Sequence, residues 1–291
     1  MLRLVTTLVL CGAAALAEQA PRRIISLSPS VTEILWGIGV FDRVVAVSTF
    51  CEYPEEAKDL PRVGGWTNTN LEQVVGLSPD IVILTDAQAP LVEGRLQALG
   101  FETLAVGSQS LADIFAAIEL IGAVVGSSEG AAALLSEMQA ELDAIAQRTR
   151  GRDRPSVLCV VDRLPGTLRD LYISTEGSYL TDLVRIAGGD PITPPAPHNY
   201  AQISTEALVS FDPEVVLDMV QALAAPVAVG TIDLAEDPKA VWKTVPIRAS
   251  RNNRVYSLLD KQLVHPSQLA VRTAREMARR LHPEAFGEET R

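Results

Sequence analysis

Two glutamates sit in matching surroundings far apart in the chain, and they are the first residues whose placement suggests a task. Glu72 lies in Asn70-Leu71-Glu72-Gln73-Val74-Val75-Gly76-Leu77-Ser78-Pro79-Asp80-Ile81, and Glu206 in Ser204-Thr205-Glu206-Ala207-Leu208-Val209-Ser210-Phe211-Asp212-Pro213-Glu214-Val215. In each, Asn or Ser can cap a helix start, and the glutamate falls two residues in, where the positive end of the helix dipole favours an anion. A proline then ends the helix and a β-branched strand follows. The separation is too long for an array of short repeats, so the segments read as equivalent elements of two related lobes. A dipole role, worth about 0.3–1 kcal/mol, explains a glutamate at either place. It does not explain the same placement twice.

Aromatic side chains form a second set. Phe50 and Tyr53 follow an expected strand at 44–47, and Trp66 stands in Gly64-Gly65-Trp66-Thr67-Asn68 just before the first glutamate helix. In the second half Tyr172 follows a strand and Tyr200 precedes the second glutamate helix. In open α/β sheets ligands bind beyond the carboxyl ends of the strands, where these loops belong. Large rings with polar tips suit a cleft for a broad, partly apolar guest. Each ring can alternatively be a local loop anchor. Trp66 is the strongest of them, because its flanking glycines leave little local surface to cover an indole.

Catalytic patterns are scarce. There is no Gly-x-Ser-x-Gly elbow, no phosphate loop and no Gly-x-Gly-x-x-Gly fingerprint. The three histidines, His198, His265 and His282, all fall in the C-terminal half, so a transition-metal site built from both lobes is disfavoured and no resident metal or catalytic cofactor is expected. His198 and His265 each adjoin a proline and read either as solvated side chains or as ligand contacts. An enzyme on the same scaffold, or a sensor without a transporter, remains a competing class.

The elements that would position these residues alternate. Expected strands are 24–27, 44–47, 81–84 and 103–106, with helices at 32–37, 71–77 and 91–99 between them. From 111 to about 150 the pattern is helical, broken only at Gly126-Ser127-Ser128, and 131–147 carries one stripe of Leu134, Leu135, Met138, Leu142 and Ile145. Strand and helix signals resume with strands at 157–161, 215–217 and 255–258 and helices at 179–187 and 268–281; the proline-rich 191–200 reads as a loop. The fold class is therefore α/β: two lobes, each a mainly parallel sheet flanked by helices, joined by one long rigid helix. The boundaries expected are a leader at 1–17, an N-terminal lobe at 18–125, a connector at 126–150, a C-terminal lobe at 151–284 and a tail at 285–291.

Composition agrees. The chain has 291 residues, 47% hydrophobic and 5% aromatic, enough for two cores. A net charge of -11 without a basic run argues against nucleic acid or an anionic membrane as partner. Met1-Leu2-Arg3, an apolar run and Ala15-Leu16-Ala17 fit an export signal cleaved near Ala17. Leu10-Cys11 is a poorer fit to a lipoprotein box, so periplasmic release is expected over a lipid anchor through Cys11. Cys51 and Cys159 then remain, in different lobes, and read as isolated thiols packed as small apolar groups.

Several of these motifs resemble one family. Ile25-Ser26-Leu27-Ser28-Pro29-Ser30-Val31-Thr32-Glu33, Glu52-Tyr53-Pro54, Trp66 followed by Asn70-Leu71-Glu72, and Leu77-Ser78-Pro79-Asp80 are similar to the substrate-binding proteins of ABC importers for iron complexes and vitamin B12, in particular the cobalamin-binding type. The resemblance runs from about Arg22 to Pro283. It implies a monomer with a helical backbone and little hinge motion, a ligand held between aromatics, and docking of Glu72 and Glu206 onto arginines of the importer permease. It implies cobalamin or a related corrinoid as guest, held by Phe50, Tyr53, Trp66, Tyr172 and Tyr200 with Asp260 and His265 in the loop after the last strand. Two departures stand out: Tyr200 replaces a tryptophan, and the charged residues near Asp260, Lys261 and His265 do not align securely. Haem is the next guest, with Tyr53, Tyr200 or His198 as axial ligand. A ferric siderophore follows, and would call on Arg163 and Arg169.

Overall fold

The computed structural model describes residues 20–219, 239–258 and 260–286. The expected leader, with Cys11 and the cleavage point at Ala17, lies outside the described residues, as does 287–291 of the tail.

Four short apolar strands, β1 (Ile24–Ser26), β2 (Val44–Val47), β3 (Ile81–Thr85) and β4 (Thr103–Val106), form a wholly parallel sheet in the order β2-β1-β3-β4. Successive side chains point to opposite faces, and both faces are buried. Ile24, Ile81 and Ile83 pack with Val31, Ile34 and Leu35 of α1 (Pro29–Gly37) and with Ile114, Ile118 and Ile121 of α4 (Leu111–Val124). Ile25, Val82 and Leu84 pack on the other side with Val74 of α2 (Leu71–Leu77) and with Val92 and Leu96 of α3 (Ala89–Ala98). Helix α1 starts three residues earlier than expected: Pro29 fits the first turn, where its missing N–H costs nothing.

Helix α5 (Ser128–Thr149) runs for 22 residues, about 33 Å. Its buried stripe is Ala131, Met138, Leu142 and Ile145, and it packs against α4 on one side and against α6 (Tyr179–Ile186) and α9 (Ala270–Leu281) on the other. One apolar core therefore continues from the first sheet along α5 to the second. The expected Leu134 and Leu135 flank that core, partly buried.

The second sheet contains β5 (Ser156–Asp162), β6 (Leu171–Ser174), β7 (Asp190–Pro191), β8 (Tyr200–Ile203), β9 (Val215–Asp218) and β10 (Val255–Ser257), in the order β10-β9-β5-β6-β8 with β7 beside β5. The β10/β9, β9/β5 and β5/β7 pairings are parallel, and β5/β6 and β6/β8 are antiparallel. The antiparallel edge is the part the sequence pattern concealed. Its outer face packs Leu158, Val160, Leu171 and Ile173 against Leu208 of α7 (Thr205–Phe211) and against Trp242. Within it, the buried Arg163 guanidinium pairs with Asp218 at 2.9 Å, and the Trp242 indole N–H donates to the same carboxylate at 2.7 Å. A buried ion pair survives desolvation only with such added hydrogen bonds. After the short α8 (Arg248–Arg251), the expected last helix, α9, begins two residues later than 268 and gives way to α10 (Pro283–Phe286).

Cys51 and Cys159 are both buried and free. Burial raises the Cys51 thiol and pushes that of Cys159 up to about 12, so each is a neutral packing group, as expected of isolated thiols.

Candidate functional site

A cleft of about 1060 Å³ opens where the carboxyl ends of both sheets meet. Residues at the end of β5 or just past β1, β2, β3, β4, β9 and β10 all border it, among them Pro29, Phe50, Ala87, Gln109, Asp162, Met219 and Leu258. Convergence at strand carboxyl ends is how open α/β sheets form ligand sites. The volume exceeds the ~300–1,000 Å³ of ordinary small-molecule pockets.

The first aromatic wall is built locally. The Arg62 guanidinium donates to the carbonyls of Ser48 at 3.0 Å and Cys51 at 2.6 Å, fixing the turn that carries Phe50. The stretch after Arg62 runs beside the end of β2, with Val63 N–H donating to Val47 O and Thr49 N–H to Gly64 O, which brings Trp66 alongside. Gly64 adopts φ +96, and a Cβ on Gly65 would lie 3.1 Å from the Phe50 ring, so the paired glycines are needed for this approach. Phe50 and Trp66 remain 53% and 41% exposed. Tyr53 stands edge-on to Trp36 with ring centroids 5.2 Å apart.

The opposite wall is pinned through β6 and β8. Ser174 pairs with Tyr200, Thr175 N–H donates to Asn199 O at 2.7 Å, and its hydroxyl donates to His198 O at 2.6 Å. Loss of water raises the phenols of Tyr53, Tyr179 and Tyr200 above the ordinary tyrosine value. The Tyr179 hydroxyl is spent on Val264 O at 2.6 Å.

The third side is a 3₁₀ turn, Lys261–Val264, capped by Asp260, which accepts from Gln262 N–H at 3.0 Å. Asp260 also pairs with Arg272 at 2.6 Å, and Lys261 reaches across the cleft to Glu52 at 3.4 Å. Beyond the turn His265 is neither solvated nor isolated. Its Nδ1 lies 2.6 Å from Glu33 Oε1, and the Ser267 hydroxyl donates to the other Glu33 oxygen at 2.5 Å. The grouping of Ser, His and Glu is no hydrolytic triad: both partners serve the carboxylate, and the fully buried Ser267 oxygen also accepts from Leu269 N–H.

Of the residues expected at a ligand site, Phe50, Tyr53, Trp66, Tyr200, Asp260 and His265 border the cleft, and His198 does too. Tyr172 is the exception. Strand alternation turns it away from the buried Leu171 and Ile173, and it lies along Gln202 of β8, 40% exposed and outside the cleft. Tyr179, Gln109, Met219 and Leu258 border the cleft without having been singled out, and so does the Ser28-Pro29-Ser30 turn. Their common signal was position: each follows or faces a strand end. Arg163 is buried against Asp218, and neither it nor Arg169 borders the cleft.

The two glutamate helices are alike in detail. Asn70 accepts from Gln73 N–H and Ser204 from Ala207 N–H. Ser78 and Asp212 then end the helices in the left-handed conformation, at φ 46 and φ 41. Glu72 and Glu206 are exposed, the residues two further on (Val74, Leu208) are buried, and the next (Val75, Val209) are exposed. Hydrogen bonds from the Ser204 hydroxyl and from its own backbone N–H hold the Glu206 carboxyl below its usual range. Among the described residues no cluster of His, Cys, Asp and Glu could hold a metal ion, and no helix is long and apolar enough to cross a membrane.

Comparison with known proteins places this architecture. Residues 24–262 match the model of the family described as periplasmic binding protein. An uncharacterized ABC transporter substrate-binding lipoprotein of Bacillus subtilis is 26% identical over 286 residues, covering 93% of this chain and 83% of its own. A vitamin B12-binding protein of Vibrio campbellii is 27% identical over 266 residues, covering 91% and 90%. Among solved structures, the periplasmic heme-binding protein BhuT in complex with two hemes superposes with a TM-score of 0.74 at 24% identity, covering 91% of this chain and 99% of its own. With a family model spanning most of its length, and binding proteins rather than enzymes as its relatives, the chain belongs to the periplasmic binding protein family.

Proposed function

We propose that this protein captures cobalamin or a related corrinoid in its inter-lobe cleft, in the periplasm, and delivers it to an ABC importer. Membership of the B12, heme and iron-complex type of binding protein sets the class. The observation that carries the finer choice is the cleft itself: large, walled by Phe50, Tyr53, Trp66 and Tyr200, and bordered by Lys261 as its one lysine or arginine among the described residues. A corrinoid presents a broad ring edged with neutral carboxamides, which such a wall accommodates. An anionic ferric siderophore calls for an arginine cluster. Haem, with its two carboxylates, stands between them and is the second reading, favoured by fold neighbours that bind heme.

In this reading Glu72 and Glu206, one on each lobe, dock onto arginines of the permease. An exposed pair of this kind is worth roughly 0–1 kcal/mol and more if bidentate and shielded, so the two set register rather than supply most of the affinity. Export follows from the leader, with release near Ala17 favoured over lipidation of Cys11, and the protein acts as a monomer with lobes at 18–125 and 151–284.

Calorimetric titration of the ligand-stripped mature protein with cyanocobalamin, with haem in a parallel cell, tests the choice. Sub-micromolar binding of cobalamin alone is the expected result. Haem binding alone transfers the same role to the second reading.

A further inference from the structure

The geometry points to His265 as an axial metal donor: Glu33, on the opposite lobe, holds its imidazole so that Nε2 can bind the metal at the centre of the captured macrocycle. This rests on the macrocycle reading above and names the residue that would select among metal-centred guests.

Glu33 is 1% exposed, on α1, and its carboxylate is committed on both oxygens, to His265 Nδ1 and to the Ser267 hydroxyl. Its carbonyl also accepts from Gln268 Nε2 at 2.7 Å, so the 265–268 segment is fastened to α1 at three points. With Nδ1 as the donor to a carboxylate, the neutral imidazole carries its free lone pair on Nε2. Nε2 has no hydrogen-bond partner among the described residues, and the ring borders the cleft at 22% side-chain exposure. A carboxylate on the far nitrogen is the usual means of orienting a metal-binding histidine and strengthening its donation.

The other aromatic donors are less suited. The phenols of Tyr53 and Tyr200 have to lose a proton to serve as phenolates, and their surroundings oppose that charge. Tyr179 is already hydrogen-bonded to Val264. His198 borders the cleft with no hydrogen bond fixing its ring among the described residues. The step itself is a ligand exchange: the Nε2 lone pair displaces a water from the metal, the water leaves to the cleft, and no electron changes hands.

Absorption spectra of the mature protein with diaquocobinamide, and absorption and EPR spectra with ferric haem, test the assignment. The expected result is a nitrogen-ligated metal in the wild type. His265→Ala is expected to bind the same macrocycle at least about tenfold more weakly and with a water-ligated spectrum, and added imidazole to restore the original spectrum. Glu33→Gln is expected to keep the nitrogen-ligated spectrum while weakening binding by about tenfold. A wild-type spectrum that is water-ligated and unchanged in His265→Ala overturns the assignment and leaves macrocycle capture standing. Failure of both macrocycles to bind overturns capture and the assignment together. If His265→Ala simply unfolds, His198→Ala decides: a nitrogen-ligated spectrum kept in that variant supports His265, and its loss there overturns the assignment.

Discussion

Phe50 and Trp66 are large, exposed and supported from behind by Arg62 and two glycines, an expensive arrangement for side chains that pack nothing in the core. Their rings are positioned to be covered by something else. Truncating either to alanine is therefore expected to weaken ligand binding by about tenfold, ~1.4 kcal/mol, while the melting temperature is unchanged. Calorimetry alongside thermal denaturation checks it; a fall in melting temperature without loss of affinity would make these rings local anchors. The sequence exposed both rings because glycines and a strand end announce them locally. Glu33 was not legible in that way. It sits in a strand–loop motif as an ordinary helix glutamate, and its partner His265 is 232 positions away. Tyr172 misled for the opposite reason: proximity to a strand end says nothing about which face the side chain takes, and one residue of register reverses it.

The helices α2 and α7 show how much an element can say by itself. Cap, glutamate, one buried residue and terminating proline recur in both: the expected helix 71–77 is observed as such, and α7 starts just after the expected cap Ser204. The strands β6 and β8 carry no such punctuation. Tyr-Ala-Gln-Ile runs directly into the cap of α7, so a four-residue edge strand was absorbed into loop and helix start. The α7 cap also has an electrostatic consequence. Ser204 helps keep the Glu206 carboxyl below its usual range, so the folded state gains stability above the unfolded pKa and loses it as pH falls through the lower folded value. Ser204→Ala is expected to cost about 1 kcal/mol through the lost cap. It also moves the Glu206 titration back up, which narrows the acid window in which this carboxylate stays charged. Carboxyl NMR titration of the variant reads the second effect, and no movement there would mean that the backbone N–H alone holds the charge.

At the scale of the whole molecule the two glutamates belong to different lobes of one body. The apolar core is continuous along α5, Tyr179 N–H donates to Gln109 O at 2.7 Å, Leu111 N–H donates to Asp182 at 3.3 Å, and Glu33 ties the cleft floor. Reversing both charges, with Glu72→Arg and Glu206→Arg, is expected to abolish uptake in whole cells and leave ligand affinity intact. Normal uptake would remove the docking role. The same stitching bears on how the guest gets in and out. A protein hinged on flexible strands closes by large rotation, whereas here closure would have to break a packed helix and the three inter-lobe contacts at Gln109, Asp182 and Glu33. Small-angle scattering with and without ligand is therefore expected to show no resolvable change in radius of gyration, as for pre-organised partners whose backbone moves little on binding. A larger contraction would mean that the contacts at Glu33, Gln109 and Asp182 part on their own. A small one leaves release to an outside force on the two lobes, which the docking proposed above, with Glu72 on one lobe and Glu206 on the other, would supply.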